Sequence, residues 1–380
     1  MRMNESKFAA LPNIQPINPI RPKENNFYNV PNSTASNLIL EVMGAGKNVA
    51  DLPARKQQIK YHGTIEVLED GCKRRISLVN EKAQVTIELT DIDKLAGSNK
   101  PAKKLFVLAL IKANEQAVYN GQLMKDDINF PLQELVDIGF YKCTRSARKG
   151  FNSGMDTLTS FKVKGHIQKT KETKETKKQE SAIDTLDVLF TSSKIENGQC
   201  SIFFNNRIDW RFMVQYFTIL PRYYFKLSNR ASDLLYYIFF IARQRTKEMA
   251  TQGYFTIGFR AIQHRLNLPS EKGLNNPLRD IKEPIENAIK EIETEHNRLY
   301  NNIELALLPV YNDAAPIADY LDKGYLQIFI SGAFADPFIT ISEKKKKQIE
   351  TARKRWNRIV EKAITSNIAK KLEERGGENA

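Results

Sequence analysis

Apolar residues recur at three- and four-residue spacing in a stretch that begins at Pro101, where Leu105, Leu108, Ala109 and Ile111 fall on one face of a helix running to Gln116. Pro101 suits its first turn. The segment INFPL, Ile128 to Leu132, reads as a short extended piece, and Leu132 to Ile138 as a second, short helix closed by Gly139. Thr144 is a good N-cap for a third helix that runs to about Phe161 and carries Ala147, Phe151, Met155 and Leu158 on one side. Alternation with period two then takes over at Phe161, Val163 and Ile167, and again at Val188, Phe190, Ile202 and Phe204, with Gly198 as the turn between the last two runs.

The same order returns further along the chain. Ser232 to Arg243 is a deeply apolar helix capped by Ser228 or Ser232; FTIGF at Phe255 to Phe259 echoes INFPL; Ala261 to Leu266 makes a short helix. After the turn LPSEKGLNN, Pro277 opens a long third helix with Leu278, Ile281, Ile285, Ile289 and Ile292 at helical spacing. Strands at Ile303 to Val310 and Tyr325 to Ile330 close the unit. Helix, short strand, helix, helix, hairpin is the order of a winged helix-turn-helix, and two copies in one chain point to an α+β protein of two tandem winged helix-turn-helix domains.

Around these units the chain divides further. Residues 1–35 hold Pro12, Pro16, Pro19, Pro22 and Pro31 and read as a disordered Pro/Asn-rich arm. Residues 36–90 read as an accessory helix and small sheet, with strands at 59–68 and 74–89 turning near Asp70 and Gly71. The first winged-helix domain is expected over 91–210, the second over 211–335, and a basic helical tail over 336–380. Lys169 to Glu180, KTKETKETKKQE, has no apolar residue to bury and reads as a long wing tip or a linker.

Charge narrows the class of partner. The 380 residues carry a formal net charge of +14. Phe140 to Ala182 holds eleven Lys/Arg against four Asp/Glu, and Ser342 to Ala380 twelve against six, so nearly all of the excess sits in two segments. Concentrated basic charge is what a polyanion needs, and it favours nucleic acid over an anionic lipid surface, which only the tail resembles. The chain has no apolar run of signal-peptide or membrane-spanning length, and the three cysteines, Cys72, Cys143 and Cys200, lie too far apart to read as a disulfide framework or a zinc site. A cytoplasmic, DNA-associated protein with no membrane role is the expectation.

Catalytic chemistry finds little footing. His62, His166, His264 and His296 never fall within five residues of one another, so the paired-histidine metal site of a rolling-circle nickase is missing, and none has an arginine three residues on. Tyr223-Tyr224 and Tyr236-Tyr237 therefore read as core aromatics. VMGAGKN, Val42 to Asn48, has Glu41 where a phosphate loop needs its first glycine and Asn48 where it needs Ser or Thr. The acidic pairs Asp91/Asp93 and Asp126/Asp127 read as caps or turns. No enzyme activity, cofactor or metal is expected.

Binding chemistry is better represented. A helix in the major groove presents Arg and Lys to guanine acceptors or phosphates and Asn to adenine. The third helix of the first unit offers Thr144, Arg145, Arg148, Lys149 and Asn152, with no acidic residue before Asp156. The second unit offers Lys272, Asn275, Asn276, Arg279 and Lys282, but Asp280, Glu283 and Glu286 share that helix. Arg222, Lys226 and Arg230 are candidate phosphate grips or ordinary surface.

YFKLSNRASDLLYYIFFIARQ, the later NPLRDIKEPIENAIKEI and the order of elements from Asp91 to Ile330 resemble the iteron-binding Rep class of bacterial plasmid replication initiators. The resemblance implies two winged-helix domains that bind origin repeats and the protein's own promoter, homodimerise through the first domain, promote local melting, and recruit a host initiator and the replicative helicase. The long arm, the segment before the first winged helix and the basic tail depart from that pattern. A winged-helix transcriptional regulator is the alternative, because it shares the binding chemistry. A nickase or relaxase with an unfamiliar metal site is the second.

Overall fold

The computed structural model describes residues 27–32, 36–37, 39–40, 43, 56–59, 63–70, 73–80, 85–89, 93–120, 127–166, 182–205, 216–271, 274–300, 305–312 and 316–331. The phosphate-loop-like segment apart from Met43, the Lys-rich run, Lys272 and the basic tail lie outside them. The chain forms two compact units, Met1–Lys226 and Leu227–Ala380, of mixed helix and sheet.

Among the described residues the first unit contains three sheets. β1 (Phe27–Asn32) pairs antiparallel with β11 (Tyr216–Pro221), so part of the expected arm is a strand, and Pro31 is tolerated because a two-stranded ribbon leaves one side of each strand unpaired. β11 belongs here, although it was expected to lie in the second domain. A six-stranded antiparallel sheet runs β2 (Lys56–Ile59), β3 (Gly63–Asp70), β4 (Lys73–Asn80), β5 (Val85–Leu89), β7 (Phe161–His166) and β8 (Ala182–Val188) in spatial order. The accessory sheet is thus larger than its own segment supplies. Phe161 pairs with Leu89, far back in the chain. His166 pairs with Ala182, so the strands on either side of the Lys-rich run are neighbours in one sheet.

The third sheet has the order β6 (Asp127–Pro131), β10 (Gln199–Phe204), β9 (Phe190–Glu196). It accompanies helices α1 (Asp93–Asn120), α2 (Glu134–Asp137) and α3 (Thr144–Leu158). α1 starts earlier than expected, with Pro101 inside it, where the ring costs one backbone hydrogen bond. Leu105, Leu108, Ala109 and Ile111 are buried as their spacing requires, and so are Ala147, Phe151, Met155 and Leu158 of α3. Phe130 of β6 meets Phe151 edge-on at 6.2 Å, and Phe106 meets Phe190 at 6.3 Å, which joins sheet and helices in one core.

The second unit contains α4 (Asn229–Gln244), α5 (Thr246–Gln252), β12 (Phe255–Gly258), α6 (Phe259–Arg265), a π-helical turn at Leu278–Lys282 continuing into α7 (Glu283–Leu299), β13 (Leu305–Val310), α8 (Ile317–Lys323) and β14 (Tyr325–Ile330). Its sheet has the order β12, β14, β13. α5 and α8 are additions that the sequence pattern did not signal. Ser228 is the N-cap of α4, accepting from the Ala231 N–H at 3.3 Å. Pro284 has no N–H for the Asp280 carbonyl, and just before it the chain takes a π turn in which the Glu283 N–H donates to the Leu278 carbonyl. Leu278, expected on the apolar face, is exposed, whereas Ile281, Ile285, Ile289 and Ile292 are buried.

Candidate nucleic-acid interface

In the first unit the short second helix hands the chain to α3 through Phe140 to Cys143. The N-cap is Cys143 and not Thr144: the Cys143 N–H donates to Ser146 Oγ at 3.3 Å, and that hydroxyl donates to the Cys143 carbonyl at 2.8 Å. Tyr141 folds under the helix at Gly150, where any Cβ would run into its ring. Its hydroxyl is buried with no hydrogen-bond partner. Lys112 of α1 pairs with Glu134 of α2 at 2.5 Å and with Glu115 at 2.9 Å. Burial pulls the Lys112 ammonium down, but those two carboxylates outweigh it and leave it raised.

This frame turns one face of α3 outward. Thr144, Arg145, Arg148, Lys149 and Asn152 are all exposed, opposite the buried Ala147, Phe151, Gly154, Met155 and Leu158. Arg148 also lies within electrostatic reach of Cys200 on β10; burial pushes that thiol up to about 12, and the guanidinium opposes the shift. Beside the helix stands the β9–β10 hairpin. Its Asn197-Gly198 turn has φ of 49° and 76°, the left-handed pair that a tight two-residue hairpin turn demands. Lys194, Asn197 and Gln199 are exposed near this tip, with Lys194 bonded to Glu196 at 2.8 Å. These residues were missed as candidates, although Asn-Gly between alternating runs signals such a turn.

The third helix of the second unit buries the same spacing. Ile281, Ile285, Ala288, Ile289 and Ile292 match Ala147, Phe151, Gly154, Met155 and Leu158 in order and interval. The outer faces, set in the same register, differ. Thr144 is matched by Leu278, Arg145 by Arg279, Arg148 by Lys282, Lys149 by Glu283 and Asn152 by Glu286. Asn275 and Asn276 are exposed, and Asn276 Oδ1 accepts from the Arg279 N–H at 3.2 Å. The Arg279 side chain is 68% exposed with Nε 3.2 Å from Asp280.

Lys282 is withdrawn. Its side chain is 17% exposed, and its ammonium lies 4.6 Å and 5.6 Å from the ring centroids of Tyr311 and Tyr320 and 3.8 Å from Glu286. Glu286 in turn accepts from the Tyr311 hydroxyl at 2.6 Å. The connection between β13 and β14 is folded back here: Tyr320 stacks on Phe259 at 4.5 Å, and Arg260 donates to Asp322 at 2.9 Å and to Glu271 at 2.7 Å. The two tyrosines that hold Lys282 lie 29 and 38 residues further on, beyond the reach of a helical spacing argument.

Among the described residues no three His, Cys, Asp or Glu side chains gather as a metal site, and no helix is long and apolar enough to cross a membrane. No family model matches the chain. No curated protein matches it either. Among solved structures, selenomethionine derivatives of domains 2 and 3 of RctB overlay with a TM-score of 0.35 at 10% identity, covering 77% of this chain and 98% of that one. A further structure of RctB domains 2–3 gives 0.36 at 9%, covering 78% and 98%.

Proposed function

We propose that the chain is a sequence-specific double-stranded DNA-binding protein, built on two winged helix-turn-helix units, that initiates replication of a plasmid or other mobile element. The observation that carries the DNA reading is the outer face of α3, where four adjacent polar or basic side chains, Arg145, Arg148, Lys149 and Asn152, stand exposed with no carboxylate before Asp156. A helix of that composition suits the major groove, with its guanidinium groups at guanine edges or phosphates. The β9–β10 hairpin supplies a second, backbone-directed contact, and the basic segments outside the described residues add sequence-independent attraction. The protein acts by binding and not by catalysis, in the bacterial cytoplasm.

Initiation, as opposed to regulation, is supported by the resemblance of Asp91 to Ile330 to iteron-binding initiators. Recruitment of a host initiator and helicase, and homodimerisation, rest on the same support. Footprinting of the full chain on the DNA of its own locus, followed by permanganate probing, tests the reading. Protected tandem repeats beside newly reactive thymines in an AT-rich tract are expected. Protection of one palindrome with no melting assigns it to regulation, and nicked or covalently attached DNA in magnesium overturns the binding-only view.

A further inference from the structure

We infer that Leu278 is a specificity-determining residue whose side chain packs on the C5-methyl group of a thymine, so that the second unit reads an A·T pair by apolar contact. The inference rests on the DNA-binding reading above. Leu278 is 54% exposed, more than any other large apolar residue among those described, and it occupies the first turn of the third helix in the place that Thr144 holds in the first unit. Like Thr144, it stands at the exposed first turn, ahead of the buried row of Ile281, Ile285 and Ile289.

Its surroundings select the occupant. A protein interface wants a continuous apolar patch, yet apart from Pro277 the neighbours of Leu278 along the helix are Asn276, Arg279 and Asp280, with Glu283 a turn on. Asn275 and Arg279 are groups that bond to base edges or phosphates. The major groove offers one apolar feature, the thymine methyl, so a leucine between an asparagine and an arginine has a single complement in duplex DNA. Further down this face Lys282 is held by Tyr311 and Glu286, and Glu283 and Glu286 replace Lys149 and Asn152 of the first unit, which leaves the first turn as the part able to approach a polyanion.

The test uses the full chain and a duplex that it enriches from a randomised pool, with each thymine replaced in turn by uracil, which lacks only the methyl group. At one position beyond those governed by Arg148, uracil is expected to weaken binding about fourfold, the equilibrium equivalent of losing one buried methyl. In Leu278→Ala that penalty should vanish while penalties elsewhere, including any due to Thr144, persist. Uracil tolerated at every position, or a penalty that survives Leu278→Ala, overturns the inference and leaves the DNA-binding reading standing. A change in sedimentation of the DNA-free variant with the uracil penalty intact assigns Leu278 to a protein contact and also overturns it. A pool that yields no enriched sequence removes the parent reading, and this inference falls with it.

Discussion

Glu291 receives two hydrogen bonds from Ser228, one from the backbone N–H at 2.5 Å and one from the hydroxyl at 2.6 Å. The N-cap of α4 is thereby fastened to a carboxylate of α7, so the first and third helices of the second unit share one anchor. Ser228→Ala should lower the stability of that unit by about 1 kcal/mol through the lost cap, and Glu291→Gln by a comparable amount. Urea unfolding of the single and double variants checks this; strictly additive losses would show that the pair is not coupled.

Arg148→Ala touches no core residue, so the unfolding transition of the first unit should stay in place. If the guanidinium reads a base, the loss of affinity should be about 1–3 kcal/mol and confined to one position of the site. If it meets only phosphate, specific and random duplexes should weaken together, with a shallower dependence on salt. Binding isotherms on both DNAs at several salt concentrations distinguish the two, and unchanged binding would remove α3 as the reading helix.

Tyr141 and Gly150 are complementary in a way that makes opposite predictions for two small changes. Gly150→Ala places a methyl group inside the Tyr141 ring and should cost about 1–3 kcal/mol of stability unless the ring moves aside. Tyr141→Phe removes a buried hydroxyl that has no partner and should be neutral or stabilising. Thermal melts of the two proteins read both signs; a large loss in Tyr141→Phe would reveal a partner for that oxygen.

Cys143 and Cys200 should differ sharply in reactivity. The Ser146 side chain and backbone N–H beside Cys143, with Arg145 nearby, hold its exposed thiol below the usual value, whereas burial holds Cys200 near 12. A thiolate is the reacting form, so alkylation of Cys143 should rise with pH through a midpoint below that of an ordinary thiol, and Cys200 should react only when the unit unfolds. Peptide mass spectrometry after timed iodoacetamide exposure measures both.

The helices of both units were legible because their buried residues obey a local period: Phe151 and Met155, or Ile285 and Ile289, need only helix geometry to be placed. Strands were legible as strands but not as partners. Phe161 and Val163 alternate correctly, yet what they pair with, Leu89 and Ile87, lies far back in the sequence, and nothing in the alternation chooses that over the nearer Phe190. The outward face of α3 followed from its pattern for the same local reason. Lys282 did not, because aromatic side chains from a distant loop capture it. Leu278 counted with the core by spacing, yet it lies in the first turn, where spacing does not say how far the core extends, and it is exposed as Thr144 is.

The pairing of β1 with β11 joins the two ends of the first unit, since Phe27 lies opposite Pro221 and Asn32 opposite Tyr216. During synthesis, the strand made first must wait for its partner until almost the entire unit has emerged, and the exposed polar edge of β1 stays unpaired for that whole interval. Such long-range closure is slow compared with local helix formation. The order of events on the ribosome is therefore dictated: α1 and α3 can assemble early, and the clasp that completes the unit forms last, just as the first residues of the second unit appear.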